Sequence, residues 1–321
     1  MKQWEIGGPF KIGIAEKKDV TVPEGYVKLK VQLAGLHRYE YELYSGESGG
    51  SYPVVPGRCG VGIVSEAGEN DYGLTRGTRV VIDPQLAPGS LMGRSEPGTL
   101  SDFVVIPCRN AFPVPAQVDD ADLLFTEQIS LAILTLNQME FKKGAHVLIV
   151  GANVFGVIAA KLVMHYQGVP ILLDTNEQCL KKATAAGVYY TINTAEQNPL
   201  QKLESITGGS PCGYAIFASR RLSALDSVDY LAVGARAAIV GWAHLSSVLS
   251  ADVSLIMRRE LHLYGVNNGG SHFPSAINVL ANHVMAPSEL IEDSVKFADC
   301  ASVFNDPDAG LKNRGFIKVT F

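Results

Sequence analysis

Two different patterns of hydrophobic and polar residues divide the chain. Over roughly the first 115 residues, short runs alternate between apolar and polar positions and are interrupted by Gly and Pro, as in half-buried antiparallel strands. From about residue 119 onward, unbroken apolar runs alternate with stretches of helical periodicity, which is typical of parallel strands covered by helices. We therefore predict an α/β protein in which a doubly wound parallel sheet is inserted into a β-rich domain.

The same patterns place the individual elements. Predicted antiparallel strands occupy 26–33, 60–68, 78–82 and 102–107, and a loop rich in Gly, Pro and Ser covers 85–98. Predicted parallel strands occupy 146–150, 170–173, 189–192, 214–217, 237–241 and 261–266. Helices are predicted at 120–138 and 274–283, and a final strand at 315–320.

The segment 146–174 predicts one half of a dinucleotide-binding unit. Its first apolar strand runs into a turn that opens a helix, and the next buried strand closes on Asp174. Backbone N–H groups at such a helix N-terminus can meet a pyrophosphate, whose negative charge the helix dipole favours. The turn residues predicted to bind the cofactor are Gly151, Asn153, Val154, Phe155 and Gly156.

Two positions of this unit refine the prediction. Asn153 replaces the middle glycine of the usual fingerprint, and we expect it to keep the turn because Asn tolerates left-handed backbone angles. Asp174 is expected to accept hydrogen bonds from ribose hydroxyls, and its charge would repel a 2′-phosphate. Thr175 is also expected at the cofactor, and because Thr175 and Asn176 supply no arginine, NAD(H) is favoured over NADP(H).

The composition narrows the class of protein. The 321 residues are 47% hydrophobic and 18% charged, with a net charge of −5. This balance gives no reason to expect a nucleic acid or an anionic membrane as a partner, and no apolar run is long enough to span a bilayer. Five cysteines without paired spacing, and an N-terminus without the apolar core of a signal peptide, indicate a cytoplasmic protein with reduced thiols.

Several short motifs resemble the medium-chain dehydrogenase/reductase superfamily, and the resemblance covers nearly the whole chain. The motifs are Val31-Gln32-Leu33-Ala34-Gly35-Leu36, Val55-Pro56-Gly57, Gly60-Val61-Gly62, Gly77-Thr78-Arg79-Val80, and Arg259-Glu260-Leu261 with Gly265. The chain looks most similar to the polyol, threonine and alcohol dehydrogenases, which normally carry catalytic zinc. The resemblance implies a GroES-like β-rich catalytic domain at 1–118 plus 268–321 and a Rossmann dinucleotide-binding domain at 119–267. It also implies a homodimer or homotetramer that pairs through the last parallel strand.

The zinc site is where the sequence departs from this family. The family segment Gly-Ile-Cys, followed by Ser or Thr and then Asp, reads Gly35-Leu36-His37-Arg38-Tyr39-Glu40 here. The second-ligand motif Gly-His-Glu reads Gly57-Arg58-Cys59, and the four-cysteine lobe of structural zinc is missing from the loop 85–98. An acidic position of the polyol subgroup is retained as Glu127.

Two interpretations of the altered site compete. His37, Cys59 and Glu127 are all possible zinc ligands, and three ligands with one open position are what catalytic zinc requires. Against this, the Arg58 guanidinium stays charged at neutral pH and opposes a dication at close range. We favour a site without catalytic zinc, and the zinc-dependent alternative stays open.

Without a metal, side chains must polarise the substrate and supply the proton. Arg58 is predicted to polarise a carbonyl by hydrogen bonding. Tyr39, at the family's proton-relay position, is predicted to donate the proton, with its pKa lowered by Arg58 or His37, and a plain packing role is the alternative. Glu40 is predicted to support these residues or to form a structural ion pair.

Further positions are expected at the cofactor because of the family resemblance. Arg38 is expected to bind the pyrophosphate, for which arginine is well suited, with a surface salt bridge as the alternative. Gly241 is expected beside the cofactor, and the backbone at Val266 and Asn267 is expected to meet the nicotinamide carboxamide.

The predicted function combines these expectations. The chain is predicted to be an NAD(H)-dependent oxidoreductase that transfers hydride between nicotinamide and a small alcohol or carbonyl substrate without catalytic zinc. One alternative is a zinc-dependent alcohol or polyol dehydrogenase with unusual ligands. Another is a catalytically inactive relative that binds NAD(H).

Overall fold

The chain forms two structural units. The computed structural model describes residues 1–49, 51–219, 228–240, 253–306 and 315–321. The first unit comprises Met1–Glu127 and Phe273–Phe321, and the second comprises Gln128–His272. The second unit is thus inserted into the sequence of the first.

Strands and helices are numbered in chain order. The strands are Lys2–Gly8 (β1), Lys11–Glu16 (β2), Tyr26–His37 (β3), Cys59–Ala67 (β4), Arg79–Ile82 (β5), Gln85–Ala87 (β6), Ser90–Leu91 (β7), Phe103–Pro107 (β8), Ala111–Pro113 (β9), His146–Val150 (β10), Val169–Asp174 (β11), Tyr190–Asn193 (β12), Cys212–Phe217 (β13), Leu231–Val240 (β14), His262–Val266 (β15), Asp293–Lys296 (β16) and Phe316–Thr320 (β17). The helices are Arg38–Ser45 (α1), Asp120–Leu123 (α2), Thr126–Gln138 (α3), Val154–His165 (α4), Glu177–Ala185 (α5), Pro199–Thr207 (α6), Val253–Arg258 (α7), Phe273–Ala281 (α8) and Ala301–Asn305 (α9).

The second unit is built on a parallel sheet with the strand order β12-β11-β10-β13-β14-β15. Counted along the chain this order is 3-2-1-4-5-6, that of a doubly wound dinucleotide-binding sheet. Val147, Leu148 and Ile149 of the central strand β10 are fully buried, which explains its unbroken apolar sequence. The predicted fold class is confirmed.

The first unit is dominated by the long strand β3. This strand pairs antiparallel with β4, β8 and β17, in a sheet of order β16-β17-β3-β4-β5-β9. Gly35 lies on β3 where a Cβ atom would meet the ring of Phe316 and, at 3.1 Å, the Cβ of Cys59. The end of β3 therefore lies close against both β17 and the start of β4, and helix α1 begins at that end.

Three predicted elements differ from the structure. The helix expected over 120–138 is divided into α2 and α3. At the break, the Thr126 hydroxyl donates to the Leu123 carbonyl at 2.7 Å. Phe125 turns inward there to pack on Phe316, with ring centroids 4.3 Å apart. The loop 85–98 contains the short hairpin β6–β7. Strand β14 begins before residue 237, with a register shift opposite Cys212–Tyr214 that the left-handed Gly234 accommodates. Within the described ranges, no helix is both long and apolar enough to cross a membrane.

Candidate active site

The junction between β3 and α1 places three of the predicted site residues. His37 is the N-cap of α1, and its Nδ1 accepts a hydrogen bond from the Tyr39 backbone N–H at 3.3 Å. The Glu40 carboxylate accepts from the His37 backbone N–H at 2.9 Å, and its Oε2 lies 3.1 Å from His37 Nδ1. This reciprocal arrangement is a capping box. His37 and Glu40 are therefore held together at the start of the helix.

Glu40 is an acid in a fully buried position. Burial raises the pKa of its carboxyl to about 7, although the His37 backbone N–H and the Arg58 charge both act to lower it. Its Oε1 is buried without a hydrogen-bond partner among the described residues. The predicted supporting role agrees with its two contacts to His37.

Arg58, Cys59 and Glu127 meet at one carboxylate. Arg58 follows Gly57, whose φ of +100° and close approach to Thr99 fix the turn before β4. The Arg58 Nη2 forms an ion pair with Glu127 Oε1, and the Cys59 Sγ lies 3.7 Å from Glu127 Oε2. Glu127 itself lies in the first turn of α3, where the helix dipole favours a negative charge.

Arg58 is a fixed positive charge in a buried position. Burial lowers the pKa of its guanidinium, but the charges of Glu127, Cys59 and Glu40 outweigh burial and raise the pKa above its usual value. The side chain thus stays charged because acidic groups surround it. A guanidinium has five N–H donors, so it can pair with Glu127 and also donate to a carbonyl oxygen.

Tyr39 corrects one expectation. Its ring is fully buried, and the Arg58 Cζ lies 5.5 Å from the ring centroid. Burial and, to a smaller extent, the Glu40 charge raise the pKa of the phenol to about 12, against the lowering influence of Arg58. The expectation that Arg58 would bring this pKa down to a lower range is wrong, because desolvation outweighs the attraction.

The residues present do not fit a catalytic zinc ion. Arg58 holds Glu127 in an ion pair, so a guanidinium occupies the position next to the carboxylate that a metal would need. His37 is engaged in the cap of α1 with Glu40. Among the residues that the structure describes, no three His, Cys, Asp or Glu side chains come together closely enough to hold a metal ion.

Arg38 and Asp83 are two further charged residues of the first unit. Arg38 is half exposed and pairs with the buried Glu42 through its Nε at 3.1 Å, so its pyrophosphate role stays a prediction.

The sequence interpretation missed Asp83, a buried acid directly after β5. Burial raises its pKa to about 6, with Glu127 raising it further and Arg58 lowering it. Its place at the end of a strand was the signal that could have identified it.

The predicted phosphate-binding turn lies at the carboxyl end of β10. Gly151 has a φ of +117°, and a Cβ there would come within 2.9 Å of the Ser219 backbone N. Asn153 is extended, with a φ of −79°, and acts as the N-cap of α4. Its side chain accepts from the Gly156 N–H at 2.9 Å and donates to the Ala218 carbonyl at 2.7 Å. The expected left-handed conformation is wrong, because the Asn side chain stabilises the turn by capping.

Asp174 is tied to the same turn. Its Oδ2 accepts from the Ala152 N–H at 2.7 Å, and its Oδ1 accepts from the Asn176 N–H at 2.9 Å. The carboxylate at the end of β11 is thus fixed beside the glycine turn at the end of β10, which fits a dinucleotide cofactor.

The remaining predicted cofactor positions lie in or directly after α4, β11 and β15, with one exception. Val154 begins α4, the Phe155 side chain is buried in the core, Thr175 is exposed after β11, Val266 ends β15 and Asn267 is exposed after it. Gly241 lies outside the described residues.

Comparison with known proteins supports the family resemblance. The family model described as the alcohol dehydrogenase GroES-like domain matches residues 23–116. An uncharacterized zinc-type alcohol dehydrogenase-like protein of Haemophilus influenzae is 26% identical over 311 residues, which cover 90% of this chain and 90% of that protein. The predicted resemblance to the medium-chain dehydrogenase/reductase superfamily is confirmed. The comparisons support an oxidoreductase.

Two solved structures share the fold of this chain. A short chain alcohol dehydrogenase (rspB) from Escherichia coli, complexed with the cofactor NADH, is 24% identical, with a TM-score of 0.88 over 100% of this chain and 99% of that chain. A putative zinc-binding dehydrogenase from Sinorhizobium meliloti, bound to NADP, is 20% identical, with a TM-score of 0.85 over 100% of this chain and 99% of that chain. At these identities the two structures show a common fold.

Proposed function

We propose that this chain is an NAD(H)-dependent oxidoreductase that interconverts a small carbonyl compound and its alcohol without catalytic zinc. The observation that carries the proposal is the largely buried ion pair of Arg58 with Glu127, beside Cys59. The family resemblance implies that these positions belong to the metal site. In this chain the Arg58 guanidinium pairs with the Glu127 carboxylate instead. The zinc-dependent alternative is the less well supported, because Arg58 stands against the metal.

The side chains of the cluster have distinct roles in the proposed reaction. When bound, the nicotinamide supplies a hydride, with its two electrons, to the carbonyl carbon, and one proton on the oxygen completes the alcohol. Arg58 stabilises the negative charge that develops on this oxygen. The pKa of the Tyr39 phenol is about 12, so Tyr39 keeps its proton at neutral pH. It can still donate this proton to the alkoxide that hydride transfer forms, because an alkoxide is more basic than a phenolate.

The glycine turn and Asp174 would hold the cofactor. The N–H groups at the start of α4 suit a pyrophosphate, and the fixed Asp174 carboxylate suits ribose hydroxyls while disfavouring a 2′-phosphate. The relatives include a structure with NADH and one with NADP, so the preference must be measured on this chain. We expect NADH to bind at least about tenfold more tightly than NADPH, and Asp174→Ser to reduce that ratio, as followed by cofactor fluorescence.

We also propose a cytoplasmic homodimer or homotetramer with a small-molecule substrate. All five cysteines are free, which suits a reducing compartment. Strand β15 ends the parallel sheet, and the exposed Val253 and Met257 lie on α7, just before it in the chain. Pairing of two copies along β15 would cover this edge. A stable monomer in light scattering at micromolar concentration would contradict it.

The proposed activity can be tested directly. Protein purified without a histidine tag and treated with a chelator is mixed with NADH and a panel of aldehydes, ketones and enones, and the loss of reduced nicotinamide is followed. The proposal predicts turnover that survives chelation and falls at least about a hundredfold in Arg58→Gln, the range seen when one electrostatic stabiliser is removed. Turnover that appears only after zinc is added would support the metal-dependent alternative. Tight NADH binding with no hydride transfer would support the inactive relative.

A further inference from the structure

Arg58 is the counter-ion of Glu127. Its Nη2 pairs with Glu127 Oε1, and both side chains are largely removed from solvent. A carboxylate that is largely removed from water needs a nearby cation to remain ionised. The guanidinium supplies that cation from within the chain.

The separation of two donor atoms in this cluster matches that of a shared metal. Cys59 Sγ and Glu127 Oε2 are 3.7 Å apart. In a tetrahedral zinc centre, with Zn–S of about 2.3 Å and Zn–O of about 2.0 Å, a sulfur and an oxygen ligand lie about 3.5 Å apart. The hydrogen bond from the Cys59 thiol to Glu127 therefore has about the same spacing as two ligands on one ion, while the other oxygen of the same carboxylate faces the guanidinium.

We infer that Arg58 takes the place of a divalent transition metal in this cluster, and that Cys59 and Glu127 form a latent zinc-type site which the guanidinium keeps closed. This inference rests on the metal-free part of the proposed function and deepens it. Removing the guanidinium removes the repulsion toward a dication. An imidazole at the same position adds a third ligand, which completes a set of nitrogen, sulfur and oxygen donors with one open position.

The test compares metal binding in matched variants, with Co²⁺ and Zn²⁺ as the probes. Arg58→His should bind about one cobalt per chain and show the near-ultraviolet charge-transfer band of a cobalt thiolate. The band should disappear when Cys59→Ser is added, and the affinity should fall at least about tenfold when Glu127→Gln is added. Wild type and Arg58→Lys, which keeps a cation at the position, should show no band and less than about a tenth of a metal per chain.

The remaining outcomes are also decisive. If Arg58→His does not fold alone, refolding it with zinc should restore the native circular dichroism, and failure to do so would overturn the inference. Arg58→Gln, which loses the charge but can still donate to Glu127, should gain thermal stability from zinc where wild type does not. A cobalt thiolate band in wild type would equally refute the closed site. These measurements need no substrate, so they stand apart from a failure of the proposed activity.

Discussion

Replacing Arg58 by Met tests whether its ion pair with Glu127 organises this part of the protein. Met keeps much of the aliphatic volume of the Arg stem but removes the charge, so the Glu127 carboxylate loses its guanidinium. The two side chains are 9% and 17% exposed, respectively. Breaking a buried pair by removing one partner costs about 3–5 kcal/mol, and because water reaches Glu127 in part we expect a loss of about 3 kcal/mol.

The double variant Arg58→Met with Glu127→Met is the matched control. It removes both charges, and apolar replacement of a whole buried pair is often neutral, so we expect it to lie within about 1 kcal/mol of wild type. The coupling free energy between the two positions should then be about 2 kcal/mol or more in a double-mutant cycle with Glu127→Met.

Urea unfolding followed by tryptophan fluorescence measures these differences in the first unit. The chain contains two Trp residues, and Trp4 is buried in the first unit. A Trp242→Phe background makes Trp4 the sole reporter of that unit. A loss below about 1 kcal/mol in Arg58→Met, or a double variant as unstable as the single one, would refute the idea that the pair is a buried and coupled ion pair.

Three further predictions concern the acid, the glycine turn and the cap. Glu40 binds its proton more tightly in the native state, where its pKa is about 7, so the free energy of unfolding of wild type falls as pH rises from about 4.5 to about 7. Glu40→Gln keeps the cap acceptor but does not titrate. Its free energy of unfolding, measured with urea, should therefore fall by about 3 kcal/mol less over this range than that of wild type. Gly156→Ala would place a Cβ against the Gly151 carbonyl oxygen, so it should weaken NADH binding at least about tenfold in a fluorescence titration. Gly213→Ala is the control, because its Cβ would meet open space, and this variant should bind NADH as tightly as wild type does. Asn153→Ala should cost about 1–2 kcal/mol in thermal unfolding. Asn153→Ser loses the hydrogen bond to the Ala218 carbonyl but keeps a cap acceptor, so it should cost less than Asn153→Ala, and an equal cost would count against the capping role.

The parallel sheet could be predicted from the sequence because its signals are local. Strand β10 was expected at 146–150 and is found there, since an apolar run ending in a glycine turn has few alternatives. The break between α2 and α3 was missed because it depends on the packing of Phe125 on Phe316, which lies far away along the chain. The N-cap role of His37 had a signal in Glu40 three residues later, but histidine is not among the usual capping residues.

The sequence could suggest candidate residues for the site but not the electrostatics around them. Arg58 and Glu127 are 69 positions apart, and their ion pair depends on how β4 and α3 come together. The pKa of Tyr39 is raised by burial, and the burial of one tyrosine cannot be inferred from its position in the sequence. Sequence patterns identify which groups carry chemistry, whereas desolvation and partner choice are decided by tertiary packing.

The most direct test of the metal-free site is elemental analysis of untagged wild-type protein that has been shown to bind NADH. We predict zinc far below one ion per chain, because Arg58 already neutralises Glu127. About one zinc per chain that is lost in Glu127→Gln would contradict it, since the carboxylate would then be a metal ligand and not the partner of a guanidinium.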